Sequence, residues 1–324
     1  MHPSRPLPQG DLLYGDSSAD RLDKPAGVHF QLDWRYALPI AAVHLLACLA
    51  FFPYFFSWTG LVLCLTGVYF YGLFGINICY HRLLTHRSFR CPAWLEKILV
   101  VIAVCCLEDA PASWVAAHRL HHKDADDQPD PHTPLAGFLW SHVGWLLTKN
   151  DDVRNVNVYD RYARDVLRTP FYLWLQRGSN GLIVYLLHAL LYLLAGAAGG
   201  WLLSRDLGTA IQSGLSVLVW GVLLRTVIVW HVSWSVNSLS HLFGYRPFET
   251  AENSRNNWLV AALSSGEGWH NNHHADPASA SNWIRWWEVD LVYLLILGME
   301  KLGLASDVIR PSHQRRLRDA GTRV

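Results

Sequence analysis

Four long blocks of apolar residues interrupt an otherwise polar chain. Each block is close to the ~20 residues that an α-helix needs to cross the hydrocarbon core of a bilayer. Short turn-forming links join the first block to the second and the third to the fourth, which predicts two helical hairpins. A soluble helical core is a poor alternative, because four nearly uncharged blocks paired by tight turns are typical of membrane proteins. We predict an all-α integral membrane protein with transmembrane helices at 36–56, 61–80, 182–203 and 211–230.

The hydrophilic segments indicate how the chain is oriented in the membrane. Two hairpins put both termini on one side, and the segments on that side contain nearly all the lysine and arginine residues. The positive-inside rule places that side in the cytoplasm, with only short loops opposite. We predict a polar N-terminal arm at 1–30, a membrane domain at 31–305 with a helical cytoplasmic cap formed by 81–181 and 231–305, and a basic C-terminal tail at 306–324.

Charge composition excludes one class of partner. The chain has 27 Lys and Arg residues against 26 Asp and Glu residues, a net charge of +1 at pH 7. No polybasic surface for nucleic acid is therefore expected. Arg225 lies inside the fourth block, where a charged side chain costs at least about 2.5 kcal/mol. It is expected to face a partner or a polar cavity.

Histidine is concentrated outside the apolar blocks. His44 and His188 lie inside the blocks, are isolated in sequence and are interpreted as packed core residues. His132 and His142 adjoin the second cluster and are candidates for contacts behind the ligands or with a substrate head group. Of 17 histidines in all, nine form three dense clusters and one separate position: His81, His86, His118, His121, His122, His241, His270, His273 and His274.

The spacing within the clusters indicates which imidazoles can converge. Positions i, i+3 and i+4 share one face of an α-helix, so each H-x-x-H-H triplet can direct its rings into one common volume. Asn237 and His241 are related in the same way. His81 and His86 differ, because five residues advance a regular helix by about 140° net. We expect the second transmembrane helix to continue past the bilayer, deliver His81 and end before His86.

So many imidazoles indicate more than one metal ion. Zinc sites close at four ligands, whereas iron and copper also accept imidazole, so nine histidines favour two transition ions, with iron preferred. Neighbouring carboxylates could orient the rings by accepting a hydrogen bond from the outer ring nitrogen. The candidates are Asp124, Asp126, Asp127, Asp130 and Glu267.

Five motifs together resemble the integral-membrane fatty acyl desaturases of the stearoyl-CoA desaturase and acyl-lipid delta-9 desaturase family. The resemblance covers roughly residues 30 to 300. It implies a four-span fold with a histidine-ligated di-iron centre in a cytosolic cap. That centre would use O₂ and two electrons to introduce a cis double bond, at delta-9, into a saturated acyl chain on CoA or a glycerolipid by hydrogen abstraction. The motifs are HRLLTHRSFR, HRLHHKDADDQPDPH, FLWSHVGWLL, NSLSHLFGYRPF and GEGWHNNHH.

The resemblance also implies the roles of individual residues. All nine clustered histidines would be iron ligands, Asn237 would hold a water on one iron, and no catalytic residue beyond the metal site is implied. Lys149 occupies a position of basic head-group contacts, whereas the Arg-Asp pair that helps the animal enzymes bind CoA is replaced by Ala116 and Ala117. This replacement favours the bacterial and plant type, and with it a bacterial cell membrane.

The acyl chain is expected to occupy a tunnel beside the metal site. In the family the tunnel ends near the positions of Leu65 and Tyr69, and a large Tyr69 would favour palmitoyl-length or shorter chains. Aromatic residues near the motifs are further candidates for lining the tunnel. They are Trp114, Trp145, Trp234, Trp258 and Trp269.

Electrons are expected from a separate protein. The chain has no HPGG haem motif of a fused cytochrome b5, no cysteine quartet and no GxGxxG after a strand. A donor of the ferredoxin, rubredoxin or cytochrome b5 type is therefore implied.

Three other functions share part of the pattern. A di-iron fatty acyl or lipid hydroxylase diverges from a desaturase only late in the reaction, although the wording of the motifs favours desaturation. A membrane metal transporter or store would place its ligands within the transmembrane helices. A zinc hydrolase would need three ligands and an open position.

Overall fold

The computed structural model describes residues 28–127 and 130–312, which form a mostly helical protein. Of the predicted arm and tail, only 28–30 and 306–312 lie within the described residues. The α-helices are α1 Trp34–Ala47, α2 Trp58–Phe70, α3 Ala93–Val104, α4 Pro111–Asp124, α5 Trp145–Leu147, α6 Val156–Tyr162, α7 Arg164–Leu167, α8 Pro170–Gln176, α9 Asn180–Ser204, α10 Leu207–Leu218, α11 Arg225–Leu242, α12 Trp258–Leu263, α13 His270–Ala275 and α14 Leu291–Lys301.

Four helical segments of the described chain are long and apolar enough to cross a membrane, which confirms the predicted number. Three of them are composite, because α-helix continues into 3₁₀ or π-helical turns without a break. The second and fourth run well beyond the predicted blocks into polar sequence, where hydropathy alone could not follow them. In order, the four spans are Trp34–Phe51, Trp58–Thr85, Asn180–Ser204 and Leu207–Leu242.

Local capping determines where the spans begin and turn. The side chains of Asp33, Ser57 and Asp206 accept hydrogen bonds from backbone N–H groups in the first turns of the first, second and fourth spans. These bonds satisfy donors that a helix start otherwise leaves free. Arg205 adopts the left-handed conformation, with φ 56°, and ends the third span. Both hairpins are thus encoded by the residues at their turns.

Small residues bring the third and fourth spans together. A Cβ added at Gly200 would lie 2.7 Å from Ser213 Oγ, and one added at Gly196 would lie 2.8 Å from Val217 Cβ. Such close backbone approach gives the van der Waals packing that associates helices in lipid. Most of the first and third spans is left exposed, as a lipid-facing surface requires.

The largest buried cluster lies where the second span meets the cap. It includes Ile78 of that span, Val100 of α3 and Val115 of α4. At Gly75 an added Cβ would lie 2.8 Å from the backbone of Ala103, so the second span and α3 are in backbone contact. This packing holds the end of the second span in a single position against the cap.

A short antiparallel sheet is a departure from the predicted all-helical fold. Strand β1, Val28–Leu32, pairs with β2, Thr148–Asn150. The backbone N–H of Asp33 then donates to the carbonyl of Leu147 across 2.8 Å. The sheet therefore fastens the cap to the residues that lead into the first span.

Arg225 is fully buried and has protein partners, as expected of a charge at membrane depth. Its Nη1 donates to the carbonyl of Cys105 across 2.9 Å, and its guanidinium lies 4.0 Å from the ring centroid of Tyr71. The Tyr71 hydroxyl is 2.8 Å from Nε2 of His188. His188 is thus packed against tyrosines, as predicted for a histidine apart from the clusters, and its bond to Tyr71 joins the second and third spans.

Candidate metal centre

The first histidine cluster lies at the end of the second span, which is π-helical from Tyr71 to Thr85. The N–H of His86 donates to the carbonyl of His81 across 3.1 Å, a spacing of five residues in place of the α-helical four. This wider turn brings both rings to one side, with centroids 4.8 Å apart. The helix delivers His81 and ends at Thr85, before His86, as expected, and its last turn is π-helical, which the sequence did not predict.

The two H-x-x-H-H triplets lie on α4 and α13, and each is divided between two adjacent groups. On α4, His118 and His122 belong to one group and His121 to the other. On α13, His270 and His274 share a group that excludes His273. Consecutive helical residues point about 100° apart, whereas i and i+4 stay on one face. The expectation of one common volume for each triplet is corrected accordingly.

The nine clustered histidines form a group of five and a group of four. The Nε2 atoms of His81 and His273 are 3.1 Å apart in the larger group, and those of His241 and His270 are 3.1 Å apart in the smaller. In each group the candidate ligand atoms lie within 4.8 Å of one another. The larger group is His81, His86, His118, His122 and His273, and the smaller is His121, His241, His270 and His274.

Carboxylates lie behind four of these rings. Glu267 is 2.9 Å from Nδ1 of His81, and Glu252, which the sequence reasoning missed, is 3.6 Å from Nδ1 of His274. The other pairs are His121 with Asp130 and His241 with Asp126, both at 3.0 Å. Of the remaining candidates, Asp124 forms an ion pair with Lys123. A carboxylate that accepts a hydrogen bond from Nδ1–H leaves the Nε2 lone pair of a neutral ring free to bind a metal.

The electrostatics of the site keep most of its rings neutral. Burial, followed by repulsion from neighbouring imidazoles, holds the pKa of six rings well below the usual value of a histidine. At His121 burial also acts downward, but Asp130 more than offsets it and the net pKa is raised. The six are His86, His118, His122, His270, His273 and His274.

The donor set fits two transition-metal ions. Nε2 atoms of the rings face one another at hydrogen-bond distance. A neutral ring whose Nδ1 donates to a carboxylate has no proton to share at Nε2. The Nε2 atoms of His86 and His121 are buried and have no hydrogen-bond partner within the described chain. Several converging imidazole lone pairs are satisfied by a cation, and imidazole suits iron, copper and zinc. Two groups of five and four exceed what a single zinc ion accepts.

Two arginines that the sequence reasoning missed support the ligands. Arg82 is almost fully buried and donates to Glu267 across 2.9 Å and to Asp290 across 3.0 Å. Arg119 donates to Asp165 across 2.8 Å and to the last carbonyl groups of the π-helical segment. Each arginine directly follows the first histidine of its motif, and this repeated His-Arg pair was the available signal.

A cavity of about 910 Å³ leads to the metal-site histidines. His81, His118 and His270 border it, as does Asn237. A mostly apolar cavity of this size with a few polar groups suits a long apolar ligand. The cavity therefore connects the predicted metal site with space for an acyl chain.

Glu108 is a polar exception in the cavity wall. Its Oε2 accepts hydrogen bonds from Ser233 Oγ at 2.9 Å and from Trp114 Nε1 at 3.4 Å. Burial raises its pKa to about 8, against the opposing effect of those two bonds. The side chain is therefore a neutral acid at physiological pH.

Some of the predicted substrate residues line the cavity, and others lie outside it. Leu65 lies one turn beyond the end of the cavity on the second span and is 55% exposed. Lys149 also lies outside the lining, where its Nζ donates to Gln31 Oε1 across 3.1 Å. Trp258 and Trp269 do not border the cavity either. Those that do are Trp114, Trp145, Trp234 and Tyr69, the last of them 47% exposed.

Comparison with known proteins gives a consistent set of matches. A family model described as fatty acid desaturase matches residues 56–303. An sn-1 stearoyl-lipid 9-desaturase of Anabaena variabilis is 40% identical over 86% of this chain and 94% of its own length. An sn-2 palmitoyl-lipid 9-desaturase of Nostoc sp. is 39% identical over 86% of this chain and 91% of its own length. An acyl-CoA 5-desaturase of Anemone leveillei is 40% identical over 86% and 80%.

Proposed function

Because the chain belongs to the fatty acid desaturase family, we propose that it uses O₂, two electrons and two iron ions to desaturate a fatty acyl chain. The protein is an integral membrane fatty acyl desaturase. The double bond is cis and is introduced at delta-9, the position in the names of the lipid desaturases from Anabaena and Nostoc.

The observation that carries this proposal is the division of nine histidines into groups of five and four beside one cavity. Each group would hold one iron. Asn237 borders the cavity and would hold a water that completes the smaller ligand set. When bound, the two irons supply the oxidising power, with O₂, to break unactivated C–H bonds.

The protein orients the metal ligands and the substrate and keeps water away from the reacting carbons. The carboxylates behind the rings fix which nitrogen faces the metal. The Trp114 ring stacks on His118, with centroids 5.0 Å apart, and also borders the cavity. An acyl chain in the cavity would pass His118 and His270 and present one pair of methylenes to the centre. The same walls exclude bulk water from the reacting carbons.

We assign the acyl carrier as a glycerolipid. Two of the relatives are named for lipid substrates and one for acyl-CoA. Ala116 and Ala117 are apolar and buried, so α4 offers no charged contact for a CoA head group at these positions. Lys149 lies on the exposed sheet near the first span, where a lipid head group would lie.

We propose that the cap and both termini lie in the cytoplasm of a bacterial cell. The distribution of basic residues supports this orientation. Electrons would then come from a separate cytoplasmic donor of the ferredoxin, rubredoxin or cytochrome b5 type. The donor needs access to the cap, where all nine histidines are grouped.

Tyr69 limits the length of the acyl chain that the cavity accepts, because Tyr69 borders the end of the cavity on the second span. Replacing Tyr69 by Ala should lengthen the cavity and shift the preferred substrate from 16 carbons or fewer towards longer chains. Product analysis with a mixture of saturated chains measures the shift. Leu65→Ala, outside the cavity, is the matched control, and equal product profiles for the two variants would contradict the assignment.

Reconstitution with defined components tests the proposed function. The iron-loaded protein in lipid nanodiscs is supplied with a donor system and with either a saturated glycerolipid or the matching acyl-CoA. The proposal predicts O₂-dependent formation of a delta-9 cis monoene from the glycerolipid, with two electrons used for each double bond. A hydroxylated product, or turnover with zinc alone, would contradict it.

A further inference from the structure

Three histidines outside the metal centre form a continuous hydrogen-bonded chain. His44 lies on the first span, His231 on the fourth span and His142 in a π-helical turn, Trp140–Gly144, of the cap. Nε2 of His44 is 3.2 Å from Nε2 of His231, and Nδ1 of His231 is 3.0 Å from Nε2 of His142. His44 is therefore not the isolated core residue that its sequence position indicated, because its partners come from distant parts of the sequence.

Both ends of the histidine chain form hydrogen bonds with other residues. Nδ1 of His44 is 2.7 Å from the carbonyl of Ile40, and Nδ1 of His142 is 3.0 Å from Oγ of Ser238. Ser238 Oγ in turn donates to the carbonyl of Trp234 across 2.9 Å. All six ring nitrogens thus take part in hydrogen bonds.

The hydrogen-bonding rules allow this chain to carry one extra proton. A carbonyl only accepts, so Nδ1 of His44 must donate to Ile40. If the Ser238 hydroxyl turns from Trp234 to His142, the remaining bonds are satisfied by three neutral rings. If it stays on Trp234, Nδ1 of His142 must also donate, and the three rings then share one more proton. The three rings can therefore take up or release a proton while the hydrogen bonds between them are kept, as the Ser238 hydroxyl switches its acceptor between His142 and Trp234.

The geometry differs from that of a metal site. In the two metal-site groups the ligand nitrogens converge on one volume, whereas His231 turns one nitrogen to each of its two neighbours. The three rings are consequently not among the sets of described residues whose ligand atoms lie within 4.8 Å of one another. A linear arrangement that uses both nitrogens of the middle ring suits proton transfer along the chain.

The middle ring of this histidine chain is exposed, and the end at Ser238 is completely buried. His231 is exposed, His44 and His142 are half-buried, and Ser238 is completely buried. Ser238 follows Asn237, which borders the cavity, and precedes His241 by about one helical turn. The buried end of the histidine chain therefore lies within one residue of the cavity lining on the fourth span.

We propose that His231, His142 and Ser238 form a relay that carries protons from the exposed ring of His231 towards the cavity wall beside Asn237, while His44, fixed by Ile40, holds the ring of His231 in place. The inference rests on the proposed function. In that reaction two C–H bonds break, and their two hydrogens, two electrons and two protons from solvent reduce O₂ to two waters as the C=C bond forms. A route through side chains would deliver those two protons across a cavity wall that is mostly apolar.

The hydrogen bonds of the relay are tested without turnover. Protein labelled with ¹⁵N in its histidines, loaded with zinc in place of iron and held in lipid nanodiscs, is studied by solid-state NMR. Scalar couplings across the N–H···N bonds should connect His231 with both His44 and His142, and should vanish in His231→Gln. Absence of these couplings in the unaltered protein would overturn the relay, as would a further metal ion that is lost in His231→Gln.

The transport of protons is tested by kinetics. His231→Gln and His142→Gln keep a hydrogen-bonding group but cannot pass a proton through a ring. Each should lower kcat at least about tenfold, leave KM for the acyl substrate unchanged and enlarge the solvent deuterium isotope effect. Added imidazole should partly restore kcat, and the iron content should stay at the wild-type value.

His188→Gln is the matched control, since His188 is also a histidine within the spans but contacts Tyr71, Tyr185 and Tyr192 in place of other histidines. It should retain the wild-type kcat and isotope effect. If the unaltered protein forms no desaturated product, the proposed function itself fails. If the unaltered protein is active and the two relay variants match it, the relay alone is overturned.

Discussion

Glu267 joins the metal site to a buried arginine. Its two oxygens lie 2.9 Å from Nδ1 of His81 and 2.9 Å from Nη2 of Arg82. Burial alone would raise the pKa of Glu267, but Arg82 and His81 lower it to about 2. The ionised carboxylate therefore contributes stability above the usual carboxyl pKa, and this contribution is lost as the pH falls towards 2.

The first prediction is that Glu267→Gln weakens metal binding. Glutamine keeps the shape but not the charge, so His81 loses the group that makes it a stronger ligand and Arg82 keeps only Asp290 as an ionic partner. Metal affinity should fall by about 10- to 100-fold. Competition with a chelator measures it. Asp160→Asn, which removes an exposed carboxylate paired with Arg164, is the control and should bind metal normally.

A second prediction concerns Glu108 and pH. Because burial raises its pKa to about 8, the side chain is neutral below that pH and becomes charged above it. A charge in the cavity wall disfavours an apolar ligand. KM for the acyl substrate should therefore rise as the pH increases from 7 to 9.5. In Glu108→Gln, which retains a carbonyl to accept from Ser233 and Trp114, KM should stay constant, and an equal rise in both proteins would contradict the assignment.

At the scale of elements, the apolar blocks allowed the four spans to be predicted, because a bilayer requires about 20 apolar residues for each helix. The same pattern could not predict the π turn between His81 and His86, since one additional residue in a helical turn leaves the hydropathy of the block unchanged. The apolar pattern also could not predict how each H-x-x-H-H triplet is divided between two groups. The groups form only in the folded protein, where His81 joins one and His241 the other.

Close backbone packing between α12 and Gly268, in the loop that leads into α13, gives a third prediction. A Cβ at Gly268 would lie 2.1 Å from the backbone nitrogen of Ala261, and that backbone cannot give way as a flexible side chain would. Gly268→Ala should lower the stability by about 1–3 kcal/mol or more and displace His270, two residues later. Thermal unfolding and bound iron measure the two effects.

Gly298→Ala is the matched control for that substitution. Gly298 lies inside α14, and nothing within 4 Å would meet its added Cβ. Alanine there should leave iron binding unchanged and raise the stability by about 0.5–1 kcal/mol. Similar losses of iron in both variants would mean that the backbone contact at Gly268 does not position the ligands.

At the scale of the whole molecule, the metal site is assembled from segments far apart in the sequence. His81 and His273 approach to 3.1 Å across 192 positions. Motif order predicted that the clusters would meet, but not which histidines would share a group. The chain of His44, His231 and His142 was beyond sequence reasoning, because each residue is isolated until the first span, the fourth span and the cap pack together.

The fatty acid profile of a desaturase-deficient host that expresses this chain tests whether the protein is a delta-9 desaturase that depends on its histidine site. It is compared with the profile of the same host expressing His273→Ala, a change that removes one ligand of the larger group. Mass spectrometry that locates double bonds should find a new delta-9 cis monoene only with the intact chain. If neither chain yields a monoene in a host shown to supply electrons to a related desaturase, or if both chains yield it equally, the account is contradicted.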